Sequence, residues 1–127
     1  MTMVFDTSAV LAVIFGEPGG EKLPALWAQG DNLMGTVNYA ELVAKLNERG
    51  MSNAEVSTVL EGVPLTLVPF DETTALASGL LRTATQAHGL SLGDRACIAL
   101  AQARQAVVVT GDRQWKKLAG VEVHLIR

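Results

Sequence analysis

Four carboxylates lie at positions where a buried sheet could bring them together. Asp6 directly follows the apolar run "MVF", and Asp112 follows "AVVVT" after one glycine. Glu41 lies early in a predicted helix, and Asp94 lies in the first turn of another. Because the C-terminal ends of parallel strands share one edge of a sheet, we expect the four acids to meet there. Such an all-oxygen set is suited to a hard divalent cation, Mg²⁺ or Mn²⁺.

Each acid also has a purely local explanation. Asp6 could cap a helix, Glu41 could pair with Lys45, Asp94 completes a Ser-x-x-Asp capping box, and Asp112 could cap a short helix. Any of these roles would be ordinary taken singly. We favour a metal site because four carboxylates that converge at one edge would repel one another, and a cation offsets that repulsion.

Strands alternate with helices along nearly the whole chain. The predicted strands span residues 3–5, 32–36, 63–70, 106–110 and 121–126. The predicted helices span residues 8–15, 21–29, 37–49, 73–88, 93–105 and 112–120, with a further helix capped by Asn53 that runs to Glu61. This alternation predicts an α/β fold with three layers, helix–sheet–helix, around a central parallel sheet.

Composition limits the class of protein. The 127 residues, of which 49% are hydrophobic and 18% charged, predict a single folded domain over residues 1–127. A lone cysteine, Cys97, suits a reducing cytosol, and no apolar run approaches the ~20 residues that span a bilayer. We therefore expect a cytoplasmic protein without a membrane segment. The net charge of −3 argues against a protein that coats nucleic acid by charge alone.

The residues around the acids favour phosphodiester hydrolysis. No Walker loop and no Gly-x-Gly-x-x-Gly motif is present, so use of a nucleoside triphosphate is disfavoured. Basic residues stand beside the acids and could contact phosphates: Arg95, Arg113, Lys116 and Lys117. Trp115 could stack on a base, although packing beneath the sheet edge would explain it equally well.

Four motifs surround the four acids: "VFDTSAV", "NYAEL", "LSLGDRACIALA" and "VVVTGDRQW". In this order and spacing they resemble those of the PIN-domain ribonucleases, most closely the VapC-type toxins of bacterial toxin–antitoxin modules. The resemblance covers essentially the whole chain. It implies a PIN-like α/β/α fold and an endoribonuclease, dependent on Mg²⁺ or Mn²⁺, that cuts single-stranded or loop RNA.

The resemblance also implies roles for individual residues. Asp6, Glu41, Asp94 and Asp112 would be the catalytic, metal-binding acids. Ser8 and Thr110 match the supporting hydroxyl positions, and we count them with Arg95, Arg113 and Lys116 as candidate substrate contacts. One position departs from many relatives, which have a further acid where Gln114 stands. A second metal ion would then bind weakly, or only with RNA.

Partners follow from the same resemblance. It implies a homodimer and a cognate VapB-like antitoxin that covers the site. Residues 37–61 are the candidate dimer interface. Leu23, Leu26 and Trp27 are either part of an antitoxin groove or core residues, and core packing explains them more simply.

Three alternatives stay open. A receiver-like Mg²⁺-binding signalling domain would need adjacent acids after the first strand and a lysine after the last. A phosphatase with an aspartyl nucleophile would need Asp-x-Asp, where this chain has Ser8. A PIN-like domain that binds RNA without cutting it is disfavoured by the four intact acids. The RNA target and the cleavage sequence are not indicated.

Overall fold

The computed structural model describes residues 1–127 and contains one five-stranded sheet of order β3-β2-β1-β4-β5, with every neighbouring pair parallel. The strands are β1 (Thr2–Phe5), β2 (Asp31–Gly35), β3 (Thr66–Val68), β4 (Val107–Thr110) and β5 (Glu122–Leu125). The chain moves outward from β1 on one side and returns to β4 on the other. The strand order therefore reverses between β1 and β4, which is where ligands bind in open parallel sheets.

Six α-helices connect the strands. They are α1 (Thr7–Phe15), α2 (Leu23–Trp27), α3 (Thr36–Glu48), α4 (Asn53–Glu61), α5 (Glu72–Ala84) and α6 (Leu92–Arg104). Three short 3₁₀ turns lie at Gly20–Lys22, Gln86–His88 and Arg113–Lys117. The predicted α/β class with a parallel sheet is confirmed. None of the helices has the length and apolar character needed to cross a membrane.

Several boundaries differ from the prediction for identifiable reasons. Helix α4 is capped by Ser52 rather than Asn53, since Ser52 and Glu55 form a reciprocal capping box. Strand β3 is only three residues long, because flanking prolines at 64 and 69 cannot donate to a ladder and β3 lies at the sheet edge. The predicted helix at 112–120 is a 3₁₀ turn over Arg113–Lys117.

Apolar side chains cover both faces of the sheet. Met3, Phe5 and Met34 face the helices α1 to α4, and they pack with Leu23 and Leu26, which are therefore core residues. The alternate strand positions face α6. They form a second cluster, whose buried members include Val4, Leu33, Val108, Cys97 and Trp115. Burial on both faces makes β1 and β4 rigid supports for the residues that directly follow them, Asp6 and Gly111.

Candidate active site at the strand reversal

Asp6 is the first residue beyond β1, at the reversal of strand order. Its backbone N–H donates to Val109 O of β4 at 2.9 Å. Its side-chain Oδ2 accepts hydrogen bonds from Ser8 Oγ at 2.6 Å and Thr110 Oγ1 at 2.9 Å. Although Asp6 occupies the N-cap position of α1, its side chain makes no capping hydrogen bond. The carboxylate is therefore hydrogen-bonded to hydroxyl groups at the C-terminal edge of the sheet and does not cap α1.

Burial leaves Asp6 with an uncompensated charge. Only 6% of the residue is exposed, and this burial raises the pKa of Asp6 to about 6, although hydrogen bonds from Ser8 and Thr110 lower it. The charge of Asp94 raises it further. No cationic side chain offsets this charge, since the sole ion pair of the structure joins Arg49 to Glu17. A buried carboxylate without a counter-charge is a group that a bound cation would stabilise.

Glu41 is held by α3 and by the start of α6. Its Oε1 accepts from Asn38 Nδ2 at 3.1 Å and from Thr7 Oγ1 at 3.4 Å. The carboxylate lies directly against Gly93, where a β-carbon would overlap both of its oxygens. Glu41 makes no ion pair with Lys45. The local explanation of Glu41 as a surface salt bridge is therefore wrong.

Asp94 and Asp112 both have the local roles that their sequence context suggests. Asp94 Oδ2 accepts from Ser91 N at 3.0 Å in a complete capping box of α6. Asp112 Oδ1 accepts from Gln114 N at 3.0 Å and caps the 3₁₀ turn. These roles occupy one oxygen of each carboxylate only. The other oxygen of each makes no hydrogen bond, so capping and metal binding do not exclude each other.

The charges of three of the acids act on one buried thiol. Cys97 lies on α6, completely buried, and burial raises the pKa of its thiol. The charges of Asp6, Asp94 and Glu41 all raise it further. Asp112 joins this group through Thr110, whose Oγ1 accepts the backbone N–H of Asp112 at 3.0 Å. Asp6 and Asp112 are thus linked through one hydroxyl, and the charges of Asp94 and Glu41 act on the same buried thiol as that of Asp6.

The donor set fits a hard divalent cation in chemistry. All of the side chains are carboxylates, and each directs one oxygen to internal donors. The second oxygen of Glu41, Asp94 and Asp112 has no hydrogen-bond partner, and Asp6 Oδ1 receives no side-chain hydrogen bond. As placed, no three His, Cys, Asp or Glu side chains form a complete set of metal ligands. Binding would therefore require these side chains to rearrange from their present positions.

Three residues that hold the acids escaped the sequence analysis. Thr7 and Asn38 donate to Glu41, and Asn38 Nδ2 also donates to Gly93 O at 3.0 Å. Asn38 lies three residues before Glu41 on one helix, a spacing that brings side chains into contact. Gly93 stands inside the first turn of a helix beside an acid, where a glycine suggests close approach. Both signals were present in the sequence.

Two of the predicted substrate contacts are buried elsewhere. Arg95 is only 8% exposed, and its Nη1 donates to Ser78 O of α5 at 3.1 Å. Its guanidinium is thus in the α5–α6 interface, and we do not include it among the proposed RNA contacts. Trp115 is fully buried in the second apolar cluster, so the packing explanation is correct and stacking on a base is not supported.

The remaining basic side chains stay at the surface beside Asp112. Arg113 and Lys117 are exposed. Lys116 is exposed as well, but its Nζ donates to Val123 O at 3.0 Å, so it is tied to β5. Ser8 and Thr110 both contact the Asp6 carboxylate, and Ser8 Oγ also accepts the Gly111 N–H at 2.9 Å. The two hydroxyls therefore hold Asp6 rather than face solvent.

The fold and the position of the site define the class of protein. The PIN-domain family model matches residues 3–121, and the chain belongs to the PIN-domain family. No curated protein matches the chain in a sequence comparison.

Solved structures of toxin–antitoxin proteins share this fold. VapBC2 from Rickettsia felis, bound to a promoter DNA fragment, aligns with a TM-score of 0.79 at 19% identity, over 98% of this chain and 98% of that one. DNA-bound VapBC from Salmonella typhimurium gives 0.77 at 18% identity, over 100% and 99%. Mycobacterium tuberculosis VapC20, a toxin that cleaves the sarcin–ricin loop, gives 0.76 at 15% identity, over 96% and 98%.

Proposed function

We propose that this protein is a divalent-metal-dependent endoribonuclease and the toxin of a VapBC-like toxin–antitoxin module. One observation carries the proposal: Asp6, buried and without a counter-charge, lies at the reversal of strand order, and the charge of Asp94 raises its pKa further. Membership of the PIN-domain family and the shared fold with VapC20, an RNA-cleaving toxin, support the same activity.

The metal would be Mg²⁺, with Mn²⁺ as a substitute. Its ligands would be the free oxygens of Asp6, Glu41, Asp94 and Asp112, since an all-carboxylate set favours hard cations over zinc. When bound, such an ion lowers the pKa of a coordinated water and offsets charge on the phosphate that is attacked. Because Gln114 stands where many relatives have a further acid, a second ion would bind more weakly than the first.

The protein's own groups would orient the acids and the RNA. Ser8 and Thr110 keep the Asp6 carboxylate facing the site through their hydroxyl donors. The exposed Arg113 and Lys117 beside Asp112 would contact phosphates that flank the cleaved bond. Single-stranded or loop RNA is the preferred substrate class, because unpaired segments can bend into an open sheet edge.

Partners and location are part of the proposal. A VapB-like antitoxin would cover the acids, as the antitoxin-bound state of the similar VapBC complexes suggests. The toxin would form a homodimer in the cytoplasm. Residues 37–61 remain the candidate interface, and a groove of about 430 Å³ between α3 and α4 lies within them, lined by Tyr39, Val43, Val56 and Leu60 among others.

The test compares wild type with three variants on a mixed RNA pool with Mg²⁺, Mn²⁺ or EDTA. Asp6→Asn and Asp94→Asn should each lose at least about 100-fold in cleavage rate, since even indirect partners of a metal site contribute 10- to 100-fold. Glu122→Gln serves as the control, because it removes an exposed acid at the start of β5. Equal cleavage by all variants, or RNA binding without cleavage in any metal, would contradict the proposal.

A further inference from the structure

Asn38 lies three residues before Glu41 on α3, and its side-chain amide donates a hydrogen bond to the Glu41 carboxylate. We propose that Asn38 is a positioning residue, which fixes the Glu41 carboxylate for metal binding by tying α3 to the first turn of α6. The inference rests on the proposed function. It concerns the orientation of one ligand and not the identity of the substrate.

The contacts of Asn38 converge on Glu41. Its Nδ2 donates both to Glu41 Oε1 at 3.1 Å and to Gly93 O at 3.0 Å. Gly93 directly precedes Asp94, so one amide group joins the segments that carry two of the acids. Thr7 Oγ1 donates to the Asn38 carbonyl oxygen at 3.0 Å, and Thr7 itself follows Asp6. Asn38 is therefore connected to the segments of three acids at once.

The Asn38 amide is hydrogen-bonded at one end only. Asn38 is completely buried, and its Oδ1 has no hydrogen-bond partner. This oxygen lies beside Gly35 at the start of α3. A buried acceptor without a donor destabilises the fold, and a leucine of similar size would remove that oxygen. The two Nδ2 hydrogen bonds are what leucine cannot supply.

The absence of a side chain at Gly93 leaves room for the Glu41 carboxylate against α6. The Glu41 carboxylate fills the volume that a β-carbon at position 93 would occupy. Both oxygens thus lie against Gly93, but only Oε1 accepts from the Asn38 amide, and Oε2 makes no hydrogen bond. One oxygen is fixed and the other remains available, which is the arrangement that a preorganised metal ligand requires.

The experiment measures Mn²⁺ affinity by calorimetry, RNA cleavage, and melting temperature in EDTA. Asn38→Leu should bind Mn²⁺ about 10- to 100-fold more weakly, with cleavage reduced alongside, while a cooperative thermal transition in EDTA shows that the variant remains folded. Asn32→Leu is the matched control. Asn32 is likewise buried with an unpartnered Oδ1, but its Nδ2 donates to Trp27 O, remote from the acids. It should keep wild-type Mn²⁺ affinity.

A double-mutant cycle separates positioning from a general structural role. If Asn38 acts only through Glu41, Asn38→Leu should cause no further loss of Mn²⁺ affinity in a Glu41→Gln background. Multiplying losses, or unchanged affinity in Asn38→Leu alone, would overturn the inference. Should Asn38→Leu fail to fold, Asn38→Ser, too short to reach both acceptors, should show the same loss of affinity.

The outcomes also distinguish the inference from the proposed function. A wild type that binds Mn²⁺ but cleaves no RNA would overturn the nuclease proposal, and the Mn²⁺ affinities would still decide the role of Asn38. A wild type that binds no Mn²⁺ would overturn both.

Discussion

Thr110 donates its hydroxyl hydrogen to Asp6 Oδ2 at 2.9 Å, which joins two residues that are 104 positions apart in the sequence. The same hydroxyl oxygen accepts the backbone N–H of Asp112 at 3.0 Å. One buried side chain at the end of β4 therefore holds a carboxylate from β1 and the start of the loop that carries another.

Replacement of Thr110 by valine should weaken this edge. Thr110→Val keeps the shape but removes the hydroxyl, with its hydrogen bonds to Asp6, Asp112 N and Ser8 Oγ, and we expect a loss of about 1–3 kcal/mol in the free energy of unfolding. The pKa of Asp6 should rise above its value of about 6, since the Thr110 hydroxyl lowers it. Urea denaturation and NMR titration measure the two effects.

Thr110→Ser should restore both, and Thr58→Val, at an exposed position, should change little. An unchanged Asp6 pKa in Thr110→Val would contradict the assignment.

Asp6 should make the metal-free protein less stable as the pH rises. Burial raises the pKa of Asp6 from 3.8 to about 6 in the folded state. Between about pH 4 and pH 6 the folded state therefore binds more protons than the unfolded chain, and stability falls with rising pH. Above pH 6 the full loss from this group is about 3 kcal/mol. Asp6→Asn should remove this loss, so its advantage in EDTA should grow from pH 4 to pH 7.

Divalent metal should reverse the order of stability of wild type and Asp6→Asn. Because Mg²⁺ binding to the folded state offsets the Asp6 charge, it should raise the melting temperature of wild type at pH 7. Asp6→Asn should show little response to the same Mg²⁺ concentration. Thermal denaturation with and without EDTA measures both, and a parallel rise in the two proteins would show that the ion binds elsewhere.

The sheet and its edge were predictable because the signals are local. "AVVVT" is apolar at each position before Thr110, as expected for a strand covered on both faces, and it forms β4. An acid that directly follows such a strand must lie at its C-terminal end. Parallel strands place Asp6 and Asp112 at the same edge of the sheet, but their proximity depends on β1 and β4 being neighbours, and this strand order could not be read from the sequence.

Side-chain direction was not predictable where distant packing decides it. Arg95 is adjacent to Asp94, yet it turns toward α5 to donate to Ser78 O, and only the α5–α6 interface determines this. The direction of the Trp115 side chain is likewise determined by distant packing, since residues from several strands and helices form the space beneath the 3₁₀ turn. Neighbours in sequence on a helix point in directions about 100° apart, so adjacency to an acid did not imply a shared surface.

Two glycines in helices allow a direct test of the Glu41 position. Gly79 in α5 has open space at its β-carbon position, whereas a β-carbon on Gly93 would overlap the Glu41 carboxylate. Gly79→Ala should raise stability by about 0.5–1 kcal/mol without affecting cleavage. Gly93→Ala should displace Glu41 and lower the cleavage rate by at least about 10-fold, as expected for a disturbed ligand. Full activity in Gly93→Ala would show that Glu41 needs no fixed position. Denaturation curves and initial rates measure both variants.

The exposed basic residues beside Asp112 should determine how RNA binding depends on salt. Each phosphate contact on a single strand contributes about 0.7 to the slope of log affinity against log salt concentration. Arg113→Gln and Lys117→Gln should each reduce that slope by about this amount, in an Asp94→Asn background that prevents cleavage. Arg104→Gln is the control, since Arg104 ends α6 about 15 Å from Asp94 on helix geometry. Fluorescence anisotropy at several salt concentrations gives the slopes. An equal reduction of the slope by Arg104→Gln would mean that RNA affinity depends on the overall charge of the protein. RNA that binds beside Asp112 should not contact the C-terminal end of α6.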